Sequence, residues 1–154
     1  MDDAAYNMAP LGDLEMAGHW TKQDDITSPR ALRAIAYGDK MAEIVNAKTD
    51  ESFDSLLPLI DSARFVRRGN ERDEEMDWPT YRAMLEQWDG GSGAYEKHLF
   101  RATEAGNVVY LDLDERSVAK DGAESSLRSI SIYEFDEADR IVAVDVCMGF
   151  HRPR

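Results

Sequence analysis

His98 is the residue of this sequence that is best suited to acid–base chemistry. The segment Tyr95–Glu104 alternates as a strand does, and His98 shares one face of it with Phe100 and Ala102. If that face points inward, a neutral imidazole there can accept a proton near neutral pH. The alternatives are a core histidine bonded to a backbone carbonyl or a tyrosine, or a histidine exposed at a strand end. We therefore predict His98 as an acid/base and Phe100 as a ligand contact beside it.

Other reactive side chains give weaker signals. Asp112 and Asp114 are two residues apart in a second strand, where apolar residues occupy the alternate positions. Because the apolar face is the natural core, the two carboxylates are predicted to lie in water, and without a histidine nearby they do not indicate a metal site. Cys147 is the single cysteine, which excludes an internal disulfide and a cysteine-cluster zinc site. No metal ion and no other cofactor is predicted.

The composition narrows the class of partner. The chain has 154 residues, of which 31 are acidic and 18 basic, giving a formal net charge of −13. This charge repels phosphate backbones and anionic lipids, so neither nucleic acid nor a membrane is a predicted partner. The length suits one domain, and a hydrophobic content of 43% suits a folded core. The start is unlike a signal peptide and no apolar run approaches about 18 residues, so we expect a cytoplasmic protein.

The first half of the chain shows helical signals. Ser28 and Pro29 are typical of a helix start, and apolar residues at helical spacing continue to about Ala47. Further elements are predicted as follows: a shorter helix capped by Thr49–Asp50 and carrying Phe53, Leu56 and Ile60, a strand at Ala63–Arg68, a charged loop at Glu71–Asp77, and a helix from Trp78 to Trp88 that ends in a turn at Gly90–Gly93.

After this turn the hydrophobic period changes from helical to alternating. Strands are predicted at Tyr95–Glu104, Val108–Val118, Leu127–Asp136 and Arg140–Phe150. Helices followed by antiparallel strands indicate the α+β class, with the helices packed on one face of the sheet. The predicted organisation is an N-terminal arm at 1–26, one domain at 27–150 and a tail at 151–154.

Three segments carry a family resemblance. In Ile132–Val142, an apolar-aromatic strand turns through acidic residues into an Arg-Ile-Val strand. Ala105–Val109 forms a second characteristic hairpin, and the helix from Trp78 fits as well. Together they resemble SnoaL-like and ketosteroid-isomerase-like members of the nuclear transport factor two-like superfamily, over about 28–150. The resemblance implies a cone of three N-terminal helices on a curved, mostly antiparallel sheet, with an apolar ligand in its mouth.

The best-known catalytic positions of these proteins hold other residue types here. The acid that donates to the oxyanion in isomerase-like members matches Ser131, and their base falls near Arg67. Their helix-one tyrosine falls within Met41–Glu43, where there is none. The remaining positions also differ: the last-strand aspartate of the cyclase-like members matches Val146, and the Arg-x-Asp pair of the epoxide-hydrolase-like members matches Leu113 and Glu115.

The resemblance still implies which residues meet a ligand. Tyr133 can hydrogen-bond a ligand carbonyl, although ordinary packing is the alternative. Arg67 can hold a ligand carboxylate or can pair with the acids of Glu71–Asp77. On the last strand, alternate residues form an uncharged face. The predicted catalytic residues are His98 and Tyr133, and the predicted ligand contacts are Tyr37, Arg67, Phe100, Ser131, Val144, Val146 and Met148.

Two functions remain open at this point. The first is a cofactor-independent isomerase, cyclase or dehydratase that acts on a small hydrophobic carbonyl compound such as a polyketide or a steroid-like ring. The second is a non-catalytic ligand-binding or dimerisation module of the same fold. An apolar strip on the outer sheet face predicts an isologous homodimer, and its members are Ile130, Ile132, Ile141 and Ala143.

Overall fold

The computed structural model describes residues 26–47, 51–70 and 72–150. The tail at 151–154 and the arm, except for its last residue, lie outside them. The elements follow one another in this order: α1 Pro29–Ala47, a 3-10 helix Phe53–Leu59, β1 Val66–Gly69, β2 Arg72–Met76, α2 Trp78–Gly91, β3 Ser92–Ala105, β4 Val108–Ala119, β5 Glu124–Phe135 and β6 Ile141–Phe150. No helix in the described part of the chain is long and apolar enough to cross a membrane.

Local sequence accounts for the helix starts. Ser28 Oγ accepts a hydrogen bond from the Ala31 amide at 3.3 Å, as expected of the residue before Pro29. Asp77 caps α2 in the same way, with its carboxylate 3.0 Å from the Thr80 amide. The second helix is a short 3-10 helix that contains Pro58, whose missing N–H cannot continue an α-helical ladder. The predicted cap Thr49–Asp50 lies outside the described residues.

The strands form one mixed six-stranded sheet in the order β2-β1-β6-β5-β4-β3. β1 runs parallel to β6, and the other neighbours are antiparallel. The fold is therefore α+β, but two short strands precede α2, so the helices are not consecutive. The predicted charged loop at Glu71–Asp77 is wrong for most of its length because β2 lies there. An edge strand that exposes its charged side chains has no apolar alternation by which to recognise it.

The predicted turn at Gly90–Gly93 is also wrong. α2 continues through Gly91, and β3 begins at the next residue without a connecting loop. A Cβ placed on Gly93 would lie 2.8 Å from the Val118 carbonyl oxygen of β4. The glycine there permits close approach of two strands rather than a turn.

The core lies between the helices and one face of the sheet. α1, the 3-10 helix and α2 pack against alternate residues of β4 to β6, with Tyr37, Leu56, Phe65, Leu85, Val109 and Ile141 among the most buried side chains. The burial of Ile141 corrects its predicted place in an exposed strip, and Ala143 is buried as well. The pairing shifts between Glu134 and Phe135, so Ile141 pairs with Phe135 on the core side.

The outer face of the sheet consequently has a smaller apolar strip than predicted. Ile130 and Tyr110 are its exposed large apolar side chains, and Ile132 is half-buried. The homodimer stays a prediction.

Candidate functional site

A cavity of about 570 Å³ lies between the helices and the sheet. Its walls come from α1, α2, β1 and β3 to β6. This volume falls within the range of small-molecule sites, which run from about 300 to 1,000 Å³. Asp39 of α1 and Gln87 of α2 are its exposed lining residues, so the mouth lies where these two helices approach each other.

Most of the predicted ligand contacts meet in this cavity. The lining includes Tyr37 from α1, Arg67 from β1, Ser131 and Tyr133 from β5, and Val144, Val146 and Met148 from β6. The strand register explains why: Tyr133 pairs with Val144, Ser131 pairs with Val146, and Arg67 pairs with Val144 from the other side. Residues paired in this way share one sheet face.

His98 and Phe100 do not line this cavity, which corrects their predicted placement. β3 contributes Tyr95, Lys97 and Leu99 instead. A bulge explains the error: Leu99 pairs with Leu113 and Arg101 with Asp112, so Phe100 is an extra residue between them. The apparent face of His98, Phe100 and Ala102 depends on strict alternation, which the bulge interrupts.

The residues around His98 form a packed patch on the other sheet face. The rings of His98 and Phe100 meet edge to face at 5.1 Å, and the Arg128 guanidinium lies 3.9 Å from the Phe100 ring centroid. Arg128 also holds Asp112 with two hydrogen bonds of 2.8 and 3.0 Å. Asp114 is buried, so the prediction that it lies in water was wrong. The described residues contain no group of three side chains that could hold a metal ion.

Glu115 is a cavity residue that the sequence analysis did not select. It continues the face of Leu111 and Leu113 on β4, so its carboxylate points into the cavity. Tyr95 Oη donates a hydrogen bond to one carboxylate oxygen, and Ser129 Oγ donates to the other at 2.5 Å. The available signal was a charged residue at the next position of an apolar alternating stripe. A carboxylate held by two donors in a cavity is suited to accept and return a proton.

Four tyrosines of the cavity keep their protons. Burial raises the pKa of Tyr37, Tyr81, Tyr95 and Tyr133 above the ordinary value, because an ionised phenolate is disfavoured away from water. The nearby Glu115 charge acts in the same direction on Tyr81, Tyr95 and Tyr133. At neutral pH these hydroxyls therefore remain available as hydrogen-bond donors.

Tyr37 is distinctive among them. Its ring meets Tyr133 edge to face at 5.7 Å, and its hydroxyl is near enough to Tyr81 for the two to influence each other's pKa. Even so, Tyr37 Oη makes no hydrogen bond of normal geometry with any residue that the structure describes. A buried hydroxyl usually has a partner. Tyr37 thus presents a donor to whatever occupies the cavity.

Arg67 and Arg68 have different environments. Arg68 faces the acids, with Asp145 at 2.6 Å and Glu75 at 3.7 Å. Arg67 is buried in the cavity wall, and its guanidinium lies 5.6 Å from the Tyr81 ring centroid. The Arg67 charge opposes the rise in the pKa of Tyr81. Of the two predicted environments, the cavity therefore applies to Arg67 and the acids apply to Arg68.

The buried tyrosines predict a loss of stability in alkali. The folded chain retains phenolic protons that the unfolded chain releases near pH 10, so stability is complete below that pH and falls above it. The free energy of unfolding in urea, measured at intervals from pH 8 to pH 11, should fall above about pH 10. Constant stability to pH 11 would contradict the burial of these hydroxyls.

Solved structures of known proteins share this fold. A candidate SnoaL-like polyketide cyclase from Shewanella denitrificans superposes with a TM-score of 0.66 at 14% identity, covering 79% of this chain and 92% of that one. An LEH-like epoxide hydrolase from M. tuberculosis gives a TM-score of 0.59 at 13% identity, covering 79% and 86%. A protein with a ketosteroid-isomerase-like fold from Catenulispora acidiphila gives 0.58 at 11% identity, covering 78% and 85%.

The likeness is one of structure rather than of sequence. No protein-family model and no curated protein matches the sequence. At identities of 11 to 14%, the superpositions establish the fold and leave the reaction open. The chain has the fold of the SnoaL-like and ketosteroid-isomerase-like proteins of the nuclear transport factor two-like superfamily.

Proposed function

We propose that the cavity binds a small, largely apolar carbonyl compound and that Glu115 moves a proton at the carbon next to the carbonyl. The observation that carries this proposal is a carboxylate held in a cavity that also contains buried, protonated tyrosine hydroxyls. Removing such a proton places negative charge on the carbonyl oxygen, and hydrogen-bond donors stabilise that charge. Both groups that the reaction needs line the same cavity.

The proposed reaction uses only residues of this chain. Glu115 takes the proton from carbon, and the electron pair of the C–H bond moves to the carbonyl oxygen to form an enolate. Tyr37 and Tyr133 donate hydrogen bonds to this oxygen, while Tyr95 and Ser129 keep the carboxylate oriented. Return of the proton to a different carbon completes an isomerisation. Attack of the enolate carbon on a second carbonyl of the same molecule, followed by protonation of the new alkoxide, completes a cyclisation.

The proposal extends to the form of the whole protein. It takes 27–150 as one domain with the cone shape that the resemblance implies, which acts in the cytoplasm as a homodimer without metal or organic cofactor. The apolar lining from β4 and β6 supports a hydrophobic ligand, since burial of apolar surface contributes roughly 25 cal/mol per Å². The printed names of the similar structures, a polyketide cyclase candidate and an epoxide hydrolase, support chemistry on small molecules.

Exchange of hydrogen for deuterium tests this function. A panel of cyclic ketones, β-keto esters and β,γ-unsaturated steroid-like ketones is incubated with the protein in D₂O, and loss of the α-hydrogen signal is followed by proton NMR. Acceleration over buffer for at least one panel member is expected. Saturable binding without exchange would favour the alternative, a module that only stores or senses its ligand. Neither binding nor exchange across the panel would overturn the proposal.

Replacing Tyr37 by phenylalanine should weaken binding without lowering stability. The probe is 2-naphthol, an apolar phenol whose oxygen resembles that of an enolate and whose fluorescence reports binding. We expect its affinity to fall about tenfold, which corresponds to one hydrogen bond of about 1.4 kcal/mol. The free energy of unfolding should not decrease, because Tyr37 Oη has no normal hydrogen bond to lose among the described residues. The matched control is Tyr110→Phe on the outer sheet face, and equal 2-naphthol affinity in both variants would refute the assignment.

A further inference from the structure

Lys97 and Glu115 lie opposite each other in the cavity without forming an ion pair. They are directly paired residues of β3 and β4, and both line the cavity. Side chains in this relation have Cβ atoms about 5 Å apart, and opposite charges there normally attract each other. The only ion pair of Lys97 within the described residues is instead with Asp39 of α1, where Nζ lies 2.5 Å from Oδ1.

The contact with α1 depends on the residue before Asp39. Lys97 reaches the helix at Gly38, where a Cβ would lie 2.9 Å from Nζ. The absence of a side chain at this position therefore lets the ammonium pass to Asp39. A second contact fixes the two elements together: the Asn46 side chain hydrogen-bonds the Tyr95 carbonyl at 2.7 Å and the Tyr95 amide at 2.8 Å.

We propose that Asp39 is a positioning residue, which holds the Lys97 ammonium away from Glu115 and so keeps the Glu115 carboxylate available as a base. This inference rests on the proposed function. Lys97 is mostly buried, with 16% of its side chain exposed, whereas 52% of Asp39 is exposed at the mouth. A buried ammonium needs a counter-charge. Without Asp39, the carboxylate on the neighbouring strand is the one directly opposite Lys97.

Pairing with Lys97 would make Glu115 a weaker base. A cation beside a carboxylate stabilises its charged form and lowers its tendency to take a proton. The ammonium would also occupy the space in front of the carboxylate, where a ligand has to lie. The other titratable or charged side chains that act on this region are Tyr95 of β3, Tyr81 of α2, Tyr133 of β5 and Asp39 of α1, and the tyrosines are neutral at pH 7.

The test compares Asp39→Asn, Lys97→Met and the double variant. The Glu115 carboxyl is titrated by ¹³C NMR, and α-hydrogen exchange is measured against pH for a ketone that the wild type accepts. In Asp39→Asn, we expect the midpoint of the Glu115 titration to move about one unit lower and exchange to slow about tenfold. In the double variant both values should return toward those of Lys97→Met, because no ammonium remains to move.

The control variant is Glu43→Gln, which removes another carboxylate of α1 that pairs with a lysine, Lys40, at 2.9 Å outside the cavity. It should leave both readouts unchanged. An unmoved midpoint in Asp39→Asn, or a lowered midpoint that persists in the double variant, would overturn the role of Asp39. A lowered midpoint that the double variant restores would support that role even if the wild type exchanged no ketone, in which case only the proposed function would fail.

Discussion

Replacing Glu115 by glutamine is expected to slow α-hydrogen exchange by about 10²- to 10⁴-fold while leaving the fold intact. This range is the usual contribution of a positioned general acid or base. Glutamine has nearly the same shape as glutamate, and its amide oxygen can still accept from Tyr95 or Ser129. It cannot take a proton from carbon, so the chemical step is lost while the cavity keeps its form.

The matched control for this variant is Glu124→Gln. Glu124 lies on β5, is exposed and pairs with Arg116 at 3.3 Å, and it does not line the cavity. Its exchange rate should equal that of the wild type. The affinity for 2-naphthol should fall little in Glu115→Gln, which separates loss of chemistry from loss of binding. An exchange rate in Glu115→Gln within about twofold of the wild type would remove Glu115 from the mechanism.

Truncating Ile141 to alanine is expected to destabilise the protein by about 2–5 kcal/mol. Ile141 is fully buried at 0% exposure, where it pairs with Phe135. Removing its outer carbons loses transfer free energy and leaves a cavity that the neighbouring side chains fill only in part. Urea unfolding monitored by circular dichroism measures the effect as a lower midpoint at unchanged slope.

Ile130→Ala makes the same chemical change at an exposed position. Ile130 is 43% exposed on the outer sheet face, and surface substitutions usually change stability by less than about 0.5 kcal/mol. The contrast between the two variants tests the shift in pairing that moves Ile141 to the core side. Equal effects at the two positions would show that Ile141 belongs with the outer strip.

Much of the fold follows from local sequence. Ser28 and Pro29 mark the start of α1 because a side-chain oxygen satisfies a free amide and proline needs no partner there. The hairpin between β5 and β6 is readable because alternation on both sides encloses a turn of acidic residues. These signals involve residues close together in sequence, so a sequence window contains the whole cause.

The errors arise where distant residues decide. Nothing near Phe100 in the sequence shows that it is an extra residue between two paired strands, and this bulge alone moves His98 off the cavity face. The same holds for Ile141, whose face depends on how β6 pairs with β5. β2 is a strand because β1 pairs with it, not because its charged residues favour one.

The candidate site shows the same division. Val144, Val146 and Met148 could be placed in the lining because an uninterrupted strand alternates reliably. Glu115 belongs to such a strand too, yet a single charge at the end of an apolar stripe is compatible with an exposed strand end. What distinguishes it is the pair of hydroxyls that hold it, and these come from β3 and β5.

The most direct test is a crystal structure of the protein with 2-naphthol bound. The proposed function predicts one molecule in the cavity between α1, α2 and the sheet, with its oxygen within hydrogen-bond distance of Tyr37 Oη and its rings against Val144 and Val146. The Glu115 carboxylate should face the ring edge next to the naphthol oxygen. Naphthol bound beside His98 and Phe100 on the outer face, with the cavity left unchanged, would contradict the assignment of the cavity as the functional site.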